Sequence, residues 1–242
     1  MRYGIFSDVH SNLEALQEVI EVYKKEDIDR YLCVGDVVGY AANPKECIEK
    51  VKTLAMITIA GNHDWASTDL FSTEYFNPAA SKAISWTKRN LSGQDRYFLE
   101  SLKLIYENED LTLAHGRLDS PQDFGYMLDG CAAVKTFALM QTQFCFIGHS
   151  HVPGIFIQDF KRHIYYQQDY SMDIKDGFKY IVNAGSVGQP RDGNPKAAYC
   201  IYDTDKKEVQ IKRISYDIKK ARKKILEAGL PQFLGERLLL GK

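Results

Sequence analysis

The 242-residue chain predicts an α/β fold of two packed mixed β-sheets flanked by helices, in a single domain over residues 1–242. Three observations predict it. The first half alternates short apolar runs with amphipathic helical stretches, the rhythm of βαβ units around a largely parallel sheet. After Pro153 the rhythm changes to closely spaced β segments, which suggests a second sheet packed on the first. A composition of 45% hydrophobic and 26% charged residues supplies one large core.

Taken in order, Arg2-Tyr3-Gly4-Ile5-Phe6 reads as the first strand. It follows Met1 directly, which leaves no room for a signal peptide and predicts a cytoplasmic protein. Ser11, with Glu14 three residues on, forms a capping-box pattern ahead of Leu13, Leu16, Val19, Ile20 and Tyr23; Asn43-Pro44 with Glu46 starts a second helix. Apolar runs at Tyr31 to Val34, Met56 to Ala60, Leu111 to Ala114 and Phe144 to Ile147 read as further strands. From Trp65 to Tyr106 the pattern is helical, with Asn77-Pro78 and Ser92-Gly93 as helix starts, so this stretch reads as an insertion. The later strands are expected at Ile155 to Gln158, His163 to Gln168, Lys179 to Val182, Ala197 to Tyr202 and Val209 to Ile214, closed by a helix from Asp217 to Ala228.

Charge and composition exclude several classes. A net charge of -1 gives no global field to steer nucleic acid or an anionic membrane, and no apolar run approaches the roughly 20 residues of a membrane span. The basic residues between Lys206 and Lys224 are diluted by acids and read as a solvated strand edge and helix face. The five cysteines are scattered and odd in number, which favours buried reduced thiols over a disulfide framework or a cysteine zinc site.

Five strand candidates each end in a polar cluster: Ser7-Asp8-Val9-His10, Gly35-Asp36, Gly61-Asn62-His63-Asp64, His115-Gly116 and Gly148-His149-Ser150-His151. Loops at the carboxyl ends of parallel strands gather around one crevice, so these distant segments are expected to meet. Asp8, His10, Asp36, Asn62, His115, His149 and His151 are seven candidate ligands offering oxygen or imidazole nitrogen and no thiolate. That chemistry suits Mn²⁺, Fe, Zn²⁺, Ni²⁺ or Co²⁺, and the inventory is too large for one ion. Two ions about 3.5–4 Å apart, with a carboxylate such as Asp36 between them, suit in-line phosphoryl displacement.

In this order the clusters resemble the calcineurin-like metallophosphoesterase family, whose pattern is Asp-x-His, Gly-Asp, Gly-Asn-His-(Asp/Glu), His and Gly-His-x-His. Asn183-Ala184-Gly185-Ser186 also resembles the family's late Asn-Pro-Gly-Ser element, with Ala184 in place of proline. The resemblance implies the calcineurin-like phosphoesterase fold and two divalent transition-metal ions. Asp8, His10, Asp36 and His151 would hold one, and Asp36, Asn62, His115 and His149 the other. It implies that His63 faces the substrate, where it protonates the leaving oxygen or stabilises charge on the phosphoryl group. Asp64 either orients His63 or holds its loop, or simply caps the following helix.

Arg191, Arg117 and Tyr40 are candidate substrate contacts; each arginine also reads as a tie within its own loop, and Tyr40 and Trp65 as packing against the insertion. His163 has no ligand spacing and reads as a surface residue. Relatives acting on phosphoproteins or dinucleoside polyphosphates carry Gly-Asp-x-Val-Asp-Arg-Gly, whereas this chain has Gly35-Asp36-Val37-Val38-Gly39-Tyr40. Without that arginine a phosphodiester, which carries less charge, is the expected substrate, with a phosphomonoester second. A non-catalytic metal-binding scaffold ranks below both because His63 is retained. The metallo-hydrolases with His-x-His-x-Asp-His are excluded, since that motif is absent.

Overall fold

The structure is a computed structural model and describes residues 1–168 and 171–242. Its first half runs β1 (Arg2–Phe6), α1 (Leu13–Tyr23), β2 (Arg30–Cys33), α2 (Pro44–Leu54), β3 (Ile57–Thr58) and α3 (Asn62–Ala66). The insertion follows as α4 (Pro78–Asn90) and α5 (Gly93–Ser101), and its last residues already belong to strand β4 (Ile105–Glu107). Then come β5 (Leu111–Ala114), α6 (Gly130–Leu139), β6 (Phe144–Ile147), β7 (Gly154–Gln158), β8 (Ile164–Gln167) and β9 (Ser171–Asp173). The chain ends β10 (Lys179–Asn183), β11 (Ala197–Asp203), β12 (Glu208–Ile214), α7 (Ile218–Glu227) and α8 (Gln232–Leu240).

Two six-stranded sheets result among the described residues, ordered β3-β2-β1-β11-β12-β9 and β4-β5-β6-β10-β7-β8. The expectation that the late segments form a sheet of their own is corrected here. β11 pairs antiparallel with β1 and extends the first sheet, while β10 pairs parallel with β6 in the second. Segments distant in sequence complete each sheet because open strand edges must find partners.

Alternation along the strands builds the layers. On β6, Phe144 and Phe146 face the first sheet, whereas Cys145 and Ile147 pack with Phe137 and Met140 of and beside α6. Tyr3, Ile5, Cys200 and Tyr202 meet Phe144 and Phe146 from the other side, and the Phe144 ring lies 4.6 Å from Tyr202 and 4.9 Å from Tyr180. The first sheet's outer face carries α1, α2, α4, α7 and α8 through Phe6, Leu16, Val19, Cys47, Ile225 and Leu234. The four layers are therefore helix, sheet, sheet, helix.

Two local expectations change. The N-cap of α1 is Asn12 rather than Ser11: the Asn12 side chain accepts from Ala15 N at 3.2 Å and donates to Gly188 O at 2.8 Å. Ser11 sits at φ 57 with its hydroxyl buried and unpaired, and Glu14 turns to Lys224 Nζ at 2.6 Å. Of the cysteines, Cys33, Cys47, Cys145 and Cys200 are buried and free, but Cys131 on α6 is exposed. No helix among the described residues is long and apolar enough to cross a membrane.

Asn12 thus ties α1 to the loop after β10. Asn12→Ala is expected to lose about 1–2 kcal/mol of stability in urea unfolding, the usual worth of a cap. Ser11→Ala removes only an unpaired hydroxyl and is expected to be neutral or mildly stabilising in the same measurement.

Candidate metal centre

β1, β2 and β3 are parallel in the first sheet, and β5, β6 and β10 are parallel in the second. Asp8 and His10 follow β1, Asp36 follows β2, Asn62 and His63 open α3 after β3, His115 follows β5, and His149 and His151 follow β6. The crevice therefore lies between the strand ends of two stacked sheets, not at a switch point within one. A sixth strand end completes it. After β10, Ser186 Oγ donates to Asp8 O at 2.8 Å, Gly188 N donates to the same carbonyl at 2.9 Å, and Asn183 Nδ2 donates to Gly148 O at 2.8 Å.

All seven ligand candidates are buried. Ligand atoms of Asp8, His10, Asp36 and His151 lie within 4.8 Å of one another, as do those of Asp36, His115 and His149; Asp36 belongs to both groups. Its Oδ1 accepts from His63 N at 2.8 Å, while Oδ2 has no hydrogen-bond partner and stands 3.5 Å from His10 Nε2 and 3.3 Å from His115 Nε2.

The imidazoles are oriented by backbone carbonyls. Nδ1 of His10 reaches Val38 O at 3.0 Å, that of His115 reaches Val34 O at 2.7 Å and that of His151 reaches Gln189 O at 2.6 Å. A carbonyl can only accept, so each Nδ1 carries a proton and each Nε2 is turned to the centre. His10 Nε2 and His151 Nε2 stand 3.0 Å apart, where two lone pairs repel unless a cation or a proton lies between them. Asp36 Oδ2, Asn62 Oδ1 and His115 Nε2 are likewise buried without partners. Such a set of orphaned acceptors fits divalent-metal ligation and fits little else.

Titration agrees with that geometry. Burial works to raise the Asp8 carboxyl, but His151, His10 and His115 outweigh it and hold it well below the carboxylate range. Burial likewise opposes and His115 and His63 favour the charged Asp36, which is also held low. His115 is pushed up to about 9 against burial by Asp36 and Asp8, whereas burial pushes His149 and His151 down to about 3. Protons do part of the work of neutralising the two carboxylates.

The backbone at the centre is strained. Asp8 (φ 54), His10 (φ 49), Asp36 (φ 53), His149 (φ 68) and His151 (φ 60) all occupy the left-handed region. Two glycines allow the loops to meet. A Cβ on Gly61 would lie 2.0 Å from Asp36 Oδ1, and one on Gly148 would lie 2.0 Å from Ser7 Oγ and 2.4 Å from Asp8 Oδ2.

His63 is buried beside the two groups, its ring 4.8 Å from His10, 4.4 Å from Tyr40 and 5.0 Å from Phe76. Burial, first of all, lowers its pKa well below the ordinary value. Asp64 does not bond to it. The Asp64 carboxylate accepts from Val38 N and Gly61 N, both at 3.1 Å, so it reaches back to the N-cap of α3 and pins the Asp36 loop to the Asn62 loop. Burial and the Asp36 charge push it up to about 7.

The other named residues divide. Arg191 Nη2 donates to Tyr40 Oη at 3.2 Å and to Gln189 Oε1 at 2.9 Å, and its backbone N donates to His151 O at 3.2 Å. Arg117 instead forks onto Asp119, with Nε donating to Oδ1 at 2.8 Å and Nη2 pairing with Oδ2, so its guanidinium ties its own loop. Trp65 packs edge-on against Phe124. His163 is exposed and bonds to Asp159 at 3.2 Å.

Sequence reading passed over Tyr126, stacked on His149 at 3.9 Å and 17°, and Phe76 against His63. Nothing in their spacing marks them. It also passed over Arg237 on α8, whose guanidinium is pushed down to about 10 by burial and by the charge of nearby Arg191.

Comparison with known proteins gives the family of the chain. A solved metallophosphoesterase from Sphaerobacter thermophilus is 37% identical and superposes with a TM-score of 0.88, covering 100% of this chain and 99% of that one. An uncharacterized protein of Methanocaldococcus jannaschii is 39% identical over 244 residues, covering 99% of this chain and 98% of its own length. The phosphodiesterase YfcE of Escherichia coli is 23% identical over 211 residues, covering 85% of this chain and 89% of its length. The profile of the calcineurin-like phosphoesterase superfamily domain matches residues 1–207, and the chain, with its two stacked mixed sheets and buried ligand cluster, belongs to that family.

Proposed function

We propose that this protein is a metal-dependent phosphodiesterase whose centre holds two divalent transition-metal ions, drawn from Mn, Fe, Ni or Zn. One observation carries the reading: the buried ligand atoms form two groups that share Asp36 and leave its Oδ2 unpartnered between them. Asp8, His10, Asp36 and His151 would hold one ion; Asp36, Asn62, His115 and His149 would hold the other. Ions bound there supply charge for the phosphoryl oxygens and lower the pKa of an attacking water.

The chain's own residues do the rest. His63 lines the cavity next to both groups and serves a phosphoryl or leaving oxygen; the neutral ring favoured by burial does so by donating an N–H. Arg191 has no carboxylate partner among the described residues and lies over Tyr40, its guanidinium 5.6 Å from the ring centre, where it can turn to a non-bridging oxygen. Asp64 acts by position, holding the His63 loop through backbone N–H groups. Phosphodiesterase YfcE supports a diester. Arg191 is the observation that keeps a phosphomonoester as the second reading, since a guanidinium held only by neutral oxygens suits a terminal phosphate.

The test is hydrolysis of bis-p-nitrophenyl phosphate and p-nitrophenyl phosphate by chelator-stripped protein with single metals restored. Metal-dependent turnover favouring the diester is expected; preference for the monoester promotes the second reading, and no turnover with two ions bound leaves a scaffold. His63→Ala is expected to keep its metal content and to lose about 10²- to 10⁴-fold in turnover. Asp36→Asn is expected to lower occupancy at both positions, and two fully bound ions by elemental analysis would remove the shared-ligand assignment. Gly148→Ala, which drives a methyl into Ser7 and Asp8, is expected to weaken metal affinity by about 10- to 100-fold in titration calorimetry, the usual cost of misplacing a ligand.

A further inference from the structure

A cavity of ≈ 300 Å³ opens directly on the metal centre. Asn62, His63 and His149 line it, together with aromatic side chains: Phe71, Tyr75 and Phe76 from the insertion, and Tyr126 from the loop after β5. Tyr75 is 89% exposed and Tyr126 is 49% exposed. Aromatic faces left open in a concavity beside a reactive centre are a ligand surface rather than unfinished core. The inner faces are already fixed, Tyr126 by stacking on His149 and Phe76 by contact with His63. Asn77 and Asp123 add an amide and a carboxylate to the lining. Asn77 Oδ1 caps α4 by accepting from Ala80 N at 2.9 Å, which anchors the base of this lining and leaves its amide N–H₂ for a ligand.

We propose that this cavity binds a nucleobase, so that the substrate is a nucleotide-derived phosphodiester with the base on its leaving group. The inference rests on the phosphoesterase reading for its placement. A phosphorus held at the centre sends one ester arm past His63, and the group leaving beside His63 lies against Phe76. The volume is at the lower end for a small-molecule site: it takes a flat base and part of its sugar and is too small for a lipid or peptide chain. Aromatic rings bind any base face, while the Asn77 amide donor and the Asp123 carboxylate acceptor meet the polar edge that distinguishes a base from a plain aryl ring.

The experiment compares three diesters with primary-alkoxide leaving groups on the Mn²⁺-loaded protein: guanosine 5′-(methyl phosphate), methyl benzyl phosphate and the methyl diester of ribose 5-phosphate. The guanosine diester is expected to show at least about tenfold higher kcat/KM than the ribose diester, and to exceed the benzyl ester. Tyr75→Ala and Tyr126→Ala, both at exposed positions, are expected to cut the guanosine-to-ribose ratio by about tenfold or more. Equal rates for guanosine and ribose diesters, or a ratio unmoved in both variants, would overturn the proposal; a benzyl ester as good as the guanosine diester would overturn the base assignment. Binding of guanosine itself, followed by tyrosine fluorescence, tests the cavity without turnover. Guanosine binding that both variants weaken supports the cavity even if no diester is cleaved, and absence of binding in an active enzyme refutes the cavity alone.

Discussion

Three imidazoles donate from Nδ1 to the carbonyls of Val34, Val38 and Gln189, and their Nε2 atoms are turned toward two buried carboxylates. Left to itself this arrangement repels. Burying a carboxylate without a compensating charge costs several kcal/mol, and here two lie among acceptors. The folded chain answers with protons where it can, raising His115, and with a geometry that a divalent cation relieves more completely. Metal affinity and folding are linked through this repulsion, because a ligand set ordered only in the folded state turns binding energy into stability.

The same centre carries backbone strain, with five candidate ligand residues in the left-handed region at a cost on the order of 1–2 kcal/mol each. Such turns survive only where the surroundings over-determine them. Here the surroundings are two sheets whose shared core, from Tyr3 and Ile5 across to Phe144 and Tyr180, fixes the strand ends. The last link is the turn after β10, which takes hold of the Asp8 loop by three hydrogen bonds, from Val187 N to Ser7 O and from Gly188 N and Ser186 Oγ to Asp8 O. A short polar loop thus converts sheet packing into sub-ångström placement of a carboxylate.

Much of this was legible in the sequence because ligands are side chains and strands are apolar runs. Asp8, His10, Asp36, Asn62, His115, His149 and His151 each followed such a run; the structure gathers the two aspartates and four histidines into two groups, with Asn62 buried at the start of α3. What failed to show was carried by other means. Ser11 and Asn12 are both good capping residues, and which one caps α1 is decided by the bond Asn12 makes across the molecule to Gly188. The assignment of β11 to the first sheet and β10 to the second depends on strand pairing between distant segments, which periodicity along the chain does not encode. Arg117 reads equally as a phosphate contact or as a tie within its own loop, and only the position of Asp119 in its fork decides for the tie. Backbone carbonyls that orient the histidines have no residue signature at all.

The division of labour within the chain follows from topology. Ligands come from loops at strand ends, where the core leaves little freedom, and the cavity wall comes from the insertion between β3 and β4, which stands outside the ladder of both sheets. Yet the insertion runs directly out of α3, whose first two residues are Asn62 and His63. The aromatic lining is therefore continuous with a candidate ligand and with His63. Changes at Phe71, Tyr75 or Phe76 alter what fits next to the centre without moving the sheets, whereas a shift of α3 itself reaches Asp36 through its bond to His63 N at 2.8 Å. Specificity in this fold is free to vary along the insertion up to the one turn of helix where it becomes chemistry.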